Sequence, residues 1–127
     1  MADTAEKILI VEDDHFLSSL LKGRLEKEGF LVNQAFDGEE AVEFLKQNQP
    51  NLIVLDVIMP KITGFDILER ISMDPQLHQI PVIAVSNLGQ DSDMEKAKQL
   101  GAIDYFVKVK IPVDELVKRI KVILKKQ

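Results

Sequence analysis

Lys7-Ile8-Leu9-Ile10-Val11-Glu12-Asp13-Asp14 is a short apolar run that stops at three consecutive acids. Aliphatic, β-branched residues without polar alternation are the texture of a strand buried on both faces of a parallel sheet. The same reading extends to Leu31–Ala35, Leu52–Leu55, Val82–Val85 and Tyr105–Val107. Segments with helical periodicity separate these runs. Residues 16–28 put Leu17, Leu20, Leu21 and Leu25 on one face, with Gly29 following as a C′ residue. Asp37, with Glu40 three residues on, reads as a capping box leading into Ala41, Val42 and Leu45, and Pro50 closes that segment. A third helix starts near Phe65 and turns Leu68 and Ile71 inward. The fourth, over about 91–100, is weakly apolar with Met94 on its core side, and it ends at Gly101. The fifth spaces Val113, Leu116, Val117, Ile120, Ile123 and Leu124 helically behind Pro112. Five strands alternating with five helices predict a three-layer α/β sandwich with right-handed crossovers.

The chain has 127 residues, which suits a single domain. Its 46% hydrophobic and 29% charged content is that of a soluble globular chain. No apolar run approaches the roughly 18 residues of a membrane span, and Met1–Glu6 lacks the features of a signal peptide. There is no Cys, which excludes disulfides and thiolate metal sites and fits a cytoplasmic setting. The net charge of −5 argues against direct nucleic-acid binding by the domain as a whole. From Tyr105 onward seven Lys or Arg face two acids, a local +5 that leaves −10 on the rest. That basic segment reads as a final helix whose Lys125 and Lys126 complement its dipole, or as a basic docking face.

In an open α/β sheet, ligands sit beyond the carboxyl ends of the strands. There the chain places Glu12, Asp13 and Asp14 after the first run, Asp56 after the third, Ser86 and Asn87 after the fourth, and Lys108 after the fifth. Each alone is an ordinary solvated strand end; their joint placement is what carries weight. Adjacent carboxylates repel unless a cation neutralises them. Mg²⁺ takes such hard oxygen ligands, Lys supplies a point charge for a phosphoryl oxygen, and an Asp can itself be a nucleophile. His15 and His78 read as exposed surface residues, and Asp14 as the cap of the first helix.

Four segments together resemble one family. They are Ile8–Asp14, Leu52–Pro60 continuing to Gly64, Ile80–Ser86, and Gly101–Lys108. Over nearly its whole length the chain resembles the receiver domain of two-component response regulators, of the chemotaxis-regulator-like kind. The resemblance implies a flavodoxin-like sandwich, a five-stranded parallel sheet in the order 2-1-3-4-5 with five helices, and a single receiver domain over residues 1–127. It implies Asp56 as phosphoacceptor, with Glu12, Asp13, Asp56 and the backbone carbonyl of Ile58 around Mg²⁺. Ser86 would follow the phosphoryl group, Lys108 would pair with one of its oxygens, and Tyr105 would switch between outward and inward positions. A histidine kinase or histidine phosphotransfer protein is the implied donor and a downstream protein the implied target, in a switch that catalyses only its own phosphorylation and dephosphorylation.

Other readings are a non-phosphorylated pseudo-receiver acting as a binding module, or an Asp-nucleophile Mg²⁺-dependent phosphatase. The latter's Asp-x-Asp after the first strand is not matched by Glu12-Asp13-Asp14. No output segment is recognisable after the last helix, so the chain reads as a stand-alone receiver or as part of a longer protein. The surface of the fourth helix, fifth strand and fifth helix mixes Asp91, Asp93, Glu95 and Asp104 with Lys96, Lys98, Lys118, Arg119 and Lys121, which suits a phosphorylation-dependent two-fold dimer. Lys108 is followed by Val109 where the family has proline, which predicts a trans bond there. Ile58 and Leu88, flanking the site, predict slow hydrolysis of the phosphoryl group because neither can position water. Met59, Pro60 and Gly64 shape the loop after Asp56, Gly64 through conformations closed to other residues.

Overall fold

A computed structural model describes residues 5–59, 61–87, 91–108 and 113–124, with the side chain of Asp91 left aside. Leu88, the Lys108–Val109 bond, Pro60, Pro112, Lys125 and Lys126 lie outside the described residues. The elements run β1 (Lys7–Val11), α1 (His15–Lys27), β2 (Leu31–Ala35), α2 (Gly38–Leu45), β3 (Leu52–Asp56), α3 (Gly64–Met73), β4 (Val82–Ser86), α4 (Asp91–Gln99), β5 (Asp104–Val107) and α5 (Val113–Ile123). The strands pair in parallel in the order β2-β1-β3-β4-β5. The expected flavodoxin-like order is therefore observed.

Side chains alternate across each strand, so one sheet feeds two cores. Leu9, Val11, Ile53, Leu55 and Ala84 pack with α2, α3 and Ala97 of α4. Ile8, Ile10, Leu52, Val54, Ile83 and Val85 pack with Leu21 and Leu25 of α1 and Leu116, Val117 and Ile120 of α5. Met94 packs against the first of these cores, as its spacing predicts. β3 and β4 are buried at every position. In β2 only Val32 and Ala35 are buried, and Leu31 is half exposed. The expectation of burial on both faces fails there because β2 is the edge of the sheet.

Leu20 also departs from expectation. It is 43% exposed, whereas Ser18, Leu21 and Leu25 are buried. At 3.6 residues per turn the inward face centres on those three positions, and Leu20 falls about 100° away from Leu21. Ser18 takes its inward place by accepting a hydrogen bond from Gln34 Nε2 at 2.9 Å. The caps follow the sequence closely. The Asp14 carboxylate accepts from Leu17 N at 3.1 Å and that of Asp37 from Glu40 N at 2.8 Å, while Gly29 and Gly101 adopt positive φ.

Candidate functional site

The parallel register brings the carboxyl ends of β1, β3, β4 and β5 to one edge. There Glu12 and Asp56 are buried, at 1% and 2% exposure, and Asp13 beside them is exposed. Glu12, Asp13 and Asp56 each bring a carboxylate oxygen within 4.8 Å of the other two. Lys108 reaches across from the end of β5. Its Nζ lies 2.8 Å from Glu12 Oε1, donates to Glu12 Oε2 at 2.9 Å and donates to Asp56 Oδ2 at 3.0 Å. The other oxygen, Asp56 Oδ1, accepts from the backbone N–H of Ile58 at 3.0 Å. The side chain of Ile58 is about half exposed at the rim.

Electrostatics follow from this burial. Desolvation pushes the Glu12 carboxyl up to about 7, against the pull of Lys108 and of the Asp14 amide. Burial likewise raises Asp56, opposed by the Ile58 amide and by Lys108. Among the described residues none gives Glu12 Oε1 a well-directed hydrogen bond, although it is buried and close to the ammonium. Two buried carboxylates with a third at the rim and one lysine leave excess negative charge. That donor set fits a hard divalent cation, which prefers carboxylate, carbonyl and water oxygens.

Backbone contacts fix the remaining groups. Lys108 N donates to Ser86 O at 2.8 Å, continuing the β4–β5 ladder and aiming the lysine without any help from a proline at 109. The Ser86 side chain is fully buried and hydrogen-bonded with the Tyr105 hydroxyl. Tyr105 is itself 5% exposed, so its ring is inward. Burial, and secondarily Asp93 and Asp56, push its phenol above the ordinary value.

Gly64 has a role that differs from the one its residue type predicts. It does not adopt positive φ; instead a Cβ there would sit 2.2 Å from Asp56 O and 2.3 Å from Val57 Cα. The glycine is needed for close approach, because α3 begins directly against the strand end that carries Asp56. Gly38 is a second such position, unremarked in the sequence, where a Cβ would lie 2.6 Å from Ile62 Cβ. His15 is exposed at the helix start, as expected, but its ring also stacks on Phe36 with centroids 3.9 Å apart. His78 is exposed.

A family model described as the response regulator receiver domain matches residues 8–121. The transcriptional regulatory protein CpxR of Escherichia coli (strain K12) is 45% identical over 122 residues, covering 94% of this chain and 50% of that protein. The chain spans about half the length of the curated relatives it matches. Among solved structures, a putative response regulator from Chloroflexus aurantiacus J-10-fl superposes with a TM-score of 0.89 at 31% identity, covering 96% of this chain and 99% of that one. The Mn²⁺-bound form of response regulator Rcp1 does so with a TM-score of 0.82 at 29% identity, covering 91% of each chain.

Proposed function

Because the chain belongs to the response regulator receiver domain family, a family of signalling modules, we propose that its 127 residues form one cytoplasmic receiver unit phosphorylated on Asp56. The donor is the phosphohistidine of a histidine kinase or phosphotransfer protein, and the outcome is a changed surface for a downstream protein. The observation that carries this reading is the Lys108 ammonium lodged between Glu12 and Asp56, with Asp13 beside them.

Glu12, Asp13, Asp56 and the Ile58 carbonyl would hold Mg²⁺. When bound, that ion would neutralise charge on the carboxylates and on the transferring group. Lys108 pairs with a phosphoryl oxygen, and the Ile58 amide steadies the Asp56 carboxylate. An Asp56 oxygen attacks phosphorus in line as the P–N bond to the donor imidazole breaks, its electron pair returning to the ring nitrogen. Positioning and electrostatics supply most of the catalysis in such transfers. Ser86 then follows the phosphoryl group. Its bond with Tyr105 gives the added charge a route to β5 and α4, in keeping with the way phosphorylation biases a bistable element.

The test is intact mass after treatment with acetyl phosphate and Mg²⁺. The expected result is a gain of one phosphoryl group that Asp56→Asn abolishes; no gain in the parent protein would leave the binding-module reading in its place.

A phosphorylation-dependent homodimer through α4, β5 and α5 belongs to the same proposal. Three of the charges on that face are already committed inside the chain, Arg119 Nε to Asp104 Oδ2 at 2.7 Å and Lys121 Nζ to Glu28 Oε1 at 2.8 Å. Light scattering of the beryllofluoride-activated protein at low and high salt is expected to show a dimer that weakens with salt. A monomer under both conditions removes the idea.

A further inference from the structure

The turn after β2 sends no side chain into the group of three carboxylates, yet it packs against the first residue of α1, which follows one of their loops, and against the loop after Asp56. On one side the end of β2, just before the turn, is tied to the first loop, where Glu12 N donates to Ala35 O at 3.0 Å. The Phe36 ring stacks on His15, with centroids 3.9 Å apart and planes 10° from parallel, and His15 directly follows Glu12-Asp13-Asp14. On the other side Gly38 is buried against the loop after Asp56. A Cβ at Gly38 would lie 2.6 Å from Ile62 Cβ and 2.7 Å from Ile62 O. Lys61 Nζ lies 3.2 Å from Glu39 Oε1 and 3.8 Å from Asp37 Oδ2, closing the same contact from outside.

The turn is itself held rigid. Asp37 caps α2, and Glu40 Oε1 accepts from Phe36 N at 2.8 Å. A stiff element wedged between two loops fixes how far apart they stand. Carboxylates that share one cation need that separation set to a fraction of an ångström, because Mg²⁺ tolerates little departure from octahedral geometry.

We propose that the segment Phe36–Glu40 is a bracket that sets the spacing of the Glu12–Asp13 loop and the loop that follows Asp56, with Phe36 and Gly38 as positioning residues for the divalent cation. This rests on the reading that Asp13 and Asp56 share that cation. It assigns a role in metal binding to residues that ligate nothing. The surface ion pairs of Lys61 are secondary, since exposed pairs contribute little. The ring stack and the missing Cβ are the working parts.

The experiment titrates the protein with Mn²⁺ alone, read by water-proton relaxation, alongside thermal melts. Phe36→Leu and Gly38→Ala are expected to weaken Mn²⁺ binding roughly 10-fold, the lower end of what mutations behind metal ligands cost. Phe36→Tyr, which keeps a stacked ring, should bind as the parent does. Leu45→Ala, a core change on α2 remote from both loops, should lower the melting temperature without altering Mn²⁺ affinity. If Gly38→Ala does not fold, Phe36→Leu still decides. Unchanged Mn²⁺ affinity in the bracket variants, or an equal loss in Leu45→Ala, overturns the proposal. Asp13→Asn and Asp56→Asn distinguish the other failure: if they too bind Mn²⁺ like the parent, the shared cation falls, and the bracket with it.

Discussion

Replacing Lys108 by methionine is expected to slow phosphoryl uptake from acetyl phosphate by about 10²–10³-fold, the usual cost of removing one charge-stabilising donor. Methionine keeps the length of the stem and removes only the ammonium. In the parent that ammonium touches Glu12 and Asp56, both almost fully buried. Breaking a buried pair from one side costs about 3–5 kcal/mol. Here the carboxyls can take up a proton instead, which should hold the loss near neutral pH to about 2–3 kcal/mol.

The sign of the pH dependence follows from the direction of the shifts. Glu12 already stands at about 7, above its ordinary 4.5, and Asp56 is raised as well. Without Lys108 both rise further. A carboxyl whose folded value is raised contributes stability that is present below its unfolded value and is lost as pH rises through the folded one. Denaturant midpoints of Lys108→Met should therefore match the parent near pH 4 and fall progressively behind it up to about pH 8. Added Mg²⁺ should return part of the stability, by neutralising the carboxylates, but not the rate of uptake. An uptake rate equal to the parent's, or a stability loss independent of pH, would contradict this account.

Gly64→Ala should destabilise the protein by about 3 kcal/mol or more, at the upper end of overpacking effects. The added methyl would meet Asp56 O at 2.2 Å and Val57 Cα at 2.3 Å, both backbone atoms that no side-chain rotation can clear. Gly64 N also donates to Val57 O at 3.0 Å, so α3 cannot retreat without losing that bond. A drop of roughly 10 °C in melting temperature is the expected reading for a domain of this size. Gly23→Ala is the matched control, because none of the described residues lies within 4 Å of a Cβ there, and it should raise the melting temperature slightly through helix propensity. A Gly64→Ala variant as stable as the parent would mean that the strand end and α3 separate more easily than their contacts imply.

Much of the site was legible in the sequence because chemistry and periodicity met at predictable places. A run such as Leu52–Leu55 ends where the sheet ends, so Asp56 had to emerge at its carboxyl edge whatever the neighbours were. Glu12, Ser86 and Lys108 followed by the same reasoning, and all four are found at that edge. Leu20 was misplaced because spacing alone does not say where the inward face of a helix is centred. Ser18 was overlooked because a hydroxyl reads as a surface group until a partner such as Gln34 is seen beside it.

The alternation of apolar runs with helical segments, the capping residues Asp14 and Asp37 and the residue types at the strand ends all belong to the sequence by itself. Periodicity and capping are local properties, set by neighbours a few positions away. Only the tertiary structure decided that Lys108 spans Glu12 and Asp56, that Tyr105 lies inward on Ser86, and that Gly38 and Gly64 are glycines for want of room. Those facts depend on ångström-scale distances between residues far apart in the chain. No periodicity encodes them, because they come into being only when the crossovers have closed and the two cores have packed.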